Sequence, residues 1–146
     1  MVGHHGIVSH VDCVFCRIVA DEVPAHFVLE EADVVAFLDA RPVFPGHVLV
    51  IPREHHETLW DLPQQLRNTL FEATTRVSVA VRDATTSDGI FVANNNIVSQ
   101  SVPHVHVHVV PRNKKDGLRG FFWPRGKYGD GEAAVVAAAI REALPE

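Results

Sequence analysis

The segment Pro103-His104-Val105-His106-Val107-His108-Val109-Val110-Pro111 constrains the fold more than any other stretch of the chain. Strict alternation is a β-strand pattern, because successive side chains point to opposite faces. Val105, Val107 and Val109 then share a core-facing side, and His104, His106 and His108 share the other, roughly 7 Å apart at ~3.3 Å rise per residue. The polar side of a half-buried strand could explain one imidazole. Three in register, with no Thr, Lys or Glu among them, point to histidine chemistry, and a purely metal-binding row is the chief competitor to catalysis.

The rest of the chain reads as α+β around that strand. Phe27-Val28-Leu29 and Val34–Leu38 flank Glu30-Glu31-Ala32-Asp33 as a hairpin. After Pro42, Pro45 and Gly46 a third apolar run, His47–Ile51, ends at Pro52. Asp61 is expected to cap a helix, with Gln64 reaching back, and Leu66, Leu70, Ala73, Val77 and Val81 form its buried stripe. Gln65, Arg67, Glu72 and Arg76 form its solvated side. Ile90–Ala93 is a fourth strand, His104–Val110 a fifth stopped by Pro111, and Asp130-Gly131 opens an alanine-rich helix with Val136, Ile140 and Leu144 on one side. The expectation is a five-stranded antiparallel sheet with a long helix and a C-terminal helix, in one domain over 12–146 behind a flexible arm at 1–11. His4, His5 and His10 in that arm carry no evident role.

Composition narrows the function. At 146 residues and 47% apolar the chain has an ordinary core, and no apolar run approaches the ~20 residues of a membrane span. With no basic-then-apolar leader, the expectation is a cytoplasmic protein. A net charge of −5 gives no field for nucleic acid, so an anionic ligand must be held locally. Such local charge exists at Arg112, Lys114, Lys115, Arg119, Arg125 and Lys127, against the acid Asp116, a basic rim suited to polyphosphate or simply a solvated loop. Phe121-Phe122-Trp123-Pro124 is unusual in a polar loop and points to a ligand or a partner subunit.

The His-x-His-x-His strand followed by two apolar residues resembles the signature of the histidine-triad (HIT) nucleotide hydrolases and transferases. The resemblance extends through Cys13–Val19, Ala36–Asp39, Gly46–Pro52 and Ser99–Val102, spanning about residues 12–112. It implies attack on a nucleotide α-phosphorus by His106, giving a nucleotidyl-histidine that water or another acceptor resolves. His108 then serves the phosphate and leaving group, as an imidazolium that stabilises charge or donates a proton. Val14, Phe15, Ile18 and Phe37 are expected at the base, Asp39 at the ribose hydroxyls, and Asn95, Gln100 and Ser101 at the phosphate. Read by composition alone, the apolar four are core, Asp39 is a turn residue and Gln100-Ser101 a polar loop. The family carries a glycine before the glutamine and others earlier in that loop. Here the loop reads Asn94-Asn95-Asn96-Ile97-Val98-Ser99-Gln100, and Asn95 or Asn96 is expected to take a glycine's left-handed turn.

Cys13-x-x-Cys16 suits tetrahedral zinc but needs two more ligands. In Pro52-Arg53-Glu54-His55-His56 the family's Pro-x-x-His spacing selects His55, and the resemblance supplies His104 as the fourth, making the zinc structural. Two reduced cysteines or a redox pair are the alternatives. The resemblance further implies a homodimer, a purine nucleotide substrate such as a phosphoramidate or dinucleoside polyphosphate, and for Trp123 a place near the neighbouring subunit's site. A nucleotide-binding regulatory module with little turnover, or a metal-storage protein using the histidine row, are the alternatives from other classes.

Overall fold

A computed structural model describes residues 12–118 and 125–145. Arg119 and Phe121–Pro124 of the basic and aromatic loop, and the arm at 1–11, lie outside the described residues. Residues to Lys114 belong to one unit and those from Lys115 onward to a second.

The first unit runs α1 (Val14–Val19), β1 (Phe27–Glu30), β2 (Val34–Leu38), β3 (Val48–Pro52), a single 3₁₀ turn (Leu59–Asp61), α2 (Gln64–Thr85), β4 (Gly89–Ala93) and β5 (Val107–Arg112). The five strands form one antiparallel sheet in the order β1-β2-β3-β5-β4. α2 lies on one face, where Leu70, Ala73, Val77 and Val81 meet Val34, Ala36, Val48, Val50, Val105, Val107 and Val109. Leu66 packs at the margin, so the whole stripe expected from the 3.6-residue period reaches the core. On the other face Val35, Phe37, Leu49 and Ile51 meet Phe15 and Ile18 of α1. Covered on both sides, β2 and β3 are continuous apolar runs rather than alternating ones. Periodicity does not reveal the helix at Val14–Val19, since six residues are too few to show a period.

The start of α2 and both ends of β5 differ most from expectation. Asp61 does not cap α2. Its carboxylate accepts from the Thr58 N–H (3.0 Å) and the Thr58 hydroxyl (2.8 Å), closing the 3₁₀ turn, and Pro63 precedes the helix instead. β5 begins at Val107 rather than His104 and continues through Pro111 to Arg112. Pairing with β3 ends at Val48↔Val109, so Pro111 has a ladder partner only on the β4 side, where it faces Ile90, and its missing N–H leaves no gap in the sheet. Upstream, Val105 donates its N–H to the His56 carbonyl (2.7 Å) outside the ladder.

In the second unit α3 (Glu132–Ala143) follows a left-handed Gly131 (φ 73°), and the Gly129 N–H donates to the Glu132 carboxylate (2.7 Å). Ile140 and Leu144 are exposed. Among the described residues no helix is long and apolar enough to cross a membrane.

Gly46 turns the chain into β3 with φ +100°, and a Cβ there would stand 2.8 Å from Thr85 Cγ2. Gly46→Ala is expected to lower the unfolding free energy by about 1–2 kcal/mol in urea titration. An unchanged midpoint would show that the turn relaxes freely.

Candidate active site

The histidines of the signature strand occupy one face, yet backbone groups give each a different role. His104 is fully buried, and its Nε2 donates to the Pro52 carbonyl at 2.8 Å. A carbonyl only accepts, so the neutral ring carries its proton on Nε2 and turns an unprotonated Nδ1 toward Cys13 Sγ (3.4 Å) and Cys16 Sγ (3.5 Å). His55 Nδ1 lies 3.2 Å from Cys16 Sγ. The four donor atoms fall within 4.8 Å of one another. A tetrahedral zinc with ordinary Zn–S and Zn–N bonds separates its donors by about 3.3–3.8 Å, so the two-sulfur, two-nitrogen set fits. The His104–Pro52 bond is the outer contact that orients a ligating imidazole. Without a cation, burial and then the neighbouring Cys13 push the Cys16 thiol up to about 12, a repulsion that a dication between the sulfurs would reverse.

His106 is 2% exposed, and its Nδ1 donates to the His104 carbonyl at 2.8 Å. The proton is therefore held on Nδ1, and Nε2 keeps a lone pair. Phe15 meets the ring edge-on at 5.1 Å and 89°, fixing its plane. Burial lowers the His106 pKa against the opposing pull of the His104 carbonyl and Asp39, so the ring is neutral near pH 7.

His108 is set by His47, which the sequence marks only as the start of the third apolar run. The Val43 N–H donates to His47 Nδ1 (3.0 Å), which leaves the proton of neutral His47 on Nε2. That Nε2–H faces His108 Nδ1 at 2.9 Å, so His108 accepts there and carries its own proton on Nε2. Asp39, His47 and His108 converge as if on a metal, but the Val43 N–H keeps the His47 Nε2 lone pair unavailable, and Val43, His47 and His108 form a hydrogen-bond chain instead. Burial, then the nearby His106 and His47, lower the His108 pKa to about 4, and burial lowers that of His47. The imidazolium expected at His108 is thus replaced by a neutral Nε2–H donor. The His106 and His108 rings stand 5.1 Å apart, closer than the backbone repeat of the strand. His47 left a faint signal, a histidine heading an otherwise apolar run directly after Pro45-Gly46.

A cleft of about 800 Å³ opens over these rings. Phe15, Phe37 and Leu49 give it an apolar wall, while Asp39, Ser101, His106 and His108 also line it. Asp39 accepts from the Arg41 N–H (2.9 Å) through Oδ1, with Oδ2 3.6 Å from His47. Other expected ligand contacts lie elsewhere. Ile18 is buried in the core, Val14 is 38% exposed and Asn95 is exposed, and none of them lines the cleft. Gln100 braces the loop, accepting from the Ile97 N–H (2.8 Å) and donating to the Glu57 carbonyl (2.6 Å).

The left-handed residues of this loop are Ile97 (φ 71°) and Ser99 (φ 62°), not Asn95 or Asn96. Asn96 is engaged elsewhere, accepting from the Leu59 N–H (2.7 Å) and donating to Asn94 Oδ1 (2.6 Å). A β-branched residue at positive φ is an outlier, and Ser99 holds a left-handed conformation that glycine would adopt without strain.

The HIT domain family model matches residues 20–115. The chain belongs to the HIT family. A crystal structure of a HIT family member from Bacillus subtilis superposes with a TM-score of 0.84 and 34% identity, covering 92% of this chain and 98% of that one. An adenosine 5'-monophosphoramidase of Candida albicans is 30% identical over 122 residues, 80% of each chain. A zinc-bound histidine triad family protein from Mycobacterium smegmatis superposes at a TM-score of 0.71 and 32% identity, covering 91% and 96% of the two chains.

Two outcomes follow for this HIT site. His47 and His108 remain unprotonated in the folded protein while the unfolded imidazoles, near 6.5, take up protons. Their contribution to stability is therefore complete above that value and is lost as pH falls toward about 4. In His108→Asn, whose Oδ1 can accept from His47, the drop in Tm between pH 7.5 and 5 is expected to be smaller than in the parent, and an equal drop would contradict the assignment. Elemental analysis of the purified chain is expected to give about one zinc per chain, falling several-fold in Cys16→Ser, with Tm lowered by strong chelators in the parent alone.

Proposed function

We propose that this HIT protein is a nucleotidyl hydrolase or transferase that cleaves a purine nucleoside phosphoramidate or a dinucleoside polyphosphate at its α-phosphorus through His106. The observation that carries the reading is the bond from His106 Nδ1 to the His104 carbonyl, which leaves an Nε2 lone pair in the cleft beside the His108 Nε2–H. The similarity to an adenosine 5'-monophosphoramidase supports the substrate class.

In the first step the Nε2 pair forms a P–N bond to the α-phosphorus. The leaving group departs with its own electron pair and takes a proton from water. Positive charge grows on the His106 ring as this bond forms, and the Nδ1–H bond to the His104 carbonyl strengthens with it. The His108 Nε2–H donates to a phosphoryl oxygen and offsets the charge developing there. In the second step water attacks phosphorus, the P–Nε2 pair returns to the ring, and a proton leaves to solvent. Splitting one hard displacement into two easier ones is the gain from covalent catalysis.

The remaining groups bind. The apolar wall of Phe15, Phe37 and Leu49 takes the base, Asp39 accepts from ribose hydroxyls, and Ser101 holds a phosphate oxygen. Ile18 packs behind the apolar wall and Gln100 braces the loop that carries Ser101, while Val14 and Asn95 stand outside the cleft. Zinc held by Cys13, Cys16, His55 and His104 would be structural: four protein donors would leave no position for water, and the four residues come from α1 and its cap, the segment after β3 and the start of the histidine strand.

His106→Ala is expected to lower kcat/KM for an adenosine phosphoramidate by about 10³-fold or more while adenosine monophosphate still binds. Retained turnover would remove His106 as nucleophile, and tight nucleotide binding without turnover in the parent would favour a regulatory module.

A further inference from the structure

His106 sits where the sheet no longer holds the chain. The pairing of β5 begins at Val107 against β3 and at His108 against β4, so neither strand faces the His106 backbone. In a residue only 2% exposed, a carbonyl left without a donor would be costly. The donor is a side chain. Asn94, the first residue past β4, gives its Nδ2–H to the His106 carbonyl at 2.9 Å.

That amide is itself oriented. Leu59 offers a backbone N–H, which only donates, so the Asn96 atom 2.7 Å away is its oxygen. The Asn96 amino group then faces Asn94 and must find an oxygen there, Oδ1 at 2.6 Å. This leaves the Asn94 amino group for His106. The relay runs from a backbone donor to a backbone acceptor, and its direction is fixed at both ends. The same segment after β3 receives Gln100 at Glu57 and Val105 at His56, so the relay starts from a well-anchored point.

We infer that Asn94 and Asn96 are positioning residues for the reaction, a two-amide relay that replaces the missing ladder at His106 and sets where its Nε2 stands relative to a bound phosphate. The inference rests on His106 being the nucleophile. Both asparagines act through His106 and need no contact with substrate.

The isosteric change Asn94→Asp tests this, because it keeps size and replaces the donor that faces the carbonyl with an oxygen. Asn96→Asp is a second, more distant probe. With an oxygen now facing Asn94, that amide must either leave an oxygen–oxygen contact or turn over and present its own oxygen to the His106 carbonyl. Turnover of an adenosine phosphoramidate is measured well below each variant's Tm, together with the Kd for adenosine monophosphate by calorimetry and with His106→Ala alongside. Both variants are expected to lose kcat on the order of 10–100-fold, as a nucleophile displaced by a fraction of an ångström does, with Kd within about 2-fold of the parent. Unchanged kcat in both variants would overturn the inference, as would a Kd that weakens while kcat holds, since that pattern belongs to a ligand contact. Full turnover in His106→Ala would instead refute the covalent reading, whatever the asparagine variants do.

Discussion

A neutral imidazole has one donor nitrogen and one acceptor nitrogen, and in this protein backbone groups that cannot exchange roles decide which is which. The Pro52 carbonyl places the His104 proton on Nε2, the His104 carbonyl places the His106 proton on Nδ1, and the Val43 N–H acting through His47 places the His108 proton on Nε2. Three histidines at alternate positions of one segment thereby present three different groups: an Nδ1 lone pair toward the thiols at His104, an Nε2 lone pair at His106 and an Nε2–H donor at His108. Burial keeps His106 and His108 neutral near pH 7, so these assignments hold where the enzyme would work.

The fold exists around that arrangement as two layers sharing one sheet. Val105, Val107 and Val109 anchor the strand in the α2 core, and their neighbours in the chain emerge on the face covered by α1. A short stretch after β3 joins the parts of the site. His55 reaches the thiols, the His56 carbonyl takes the Val105 N–H, the Glu57 carbonyl takes Gln100, and the Leu59 N–H starts the asparagine relay. The candidate zinc centre and the loop bearing Ser101 are thus braced by the same short stretch, residues 55–59. Among the described residues no buried side-chain polar atom lacks a partner. A polar network this complete holds its members in one geometry.

Much of this is legible in the residues themselves because it depends on periodicity. Alternation exposes the histidine face and its valine underside, and three- and four-residue spacing exposes the stripe of α2. The Cys-x-x-Cys pair and His55 come together with His104 as the family resemblance implies. What escapes is whatever depends on contacts distant in sequence or on competition between neighbours. His47 meets His108 across 61 positions. Asp61 could cap a helix from its spacing, but Thr58 captures it first. Asn95 and Asn96 have the intrinsic tolerance for a left-handed turn, yet Ile97 and Ser99 adopt it, since Asn96 is held by Leu59 and Asn94. Pro111 stops a strand in general, but here its missing N–H falls past the last residue paired with β3.

The claim beneath all of this is the pattern of ring protonation, and ¹⁵N chemical shifts of the imidazoles in the zinc-loaded, ligand-free protein at neutral pH read it directly. The expected spectrum has His106 protonated on Nδ1 alone and His47 and His108 protonated on Nε2 alone. A His106 ring protonated on Nε2, or on both nitrogens, would contradict it, because the cleft would then hold no lone pair to attack phosphorus.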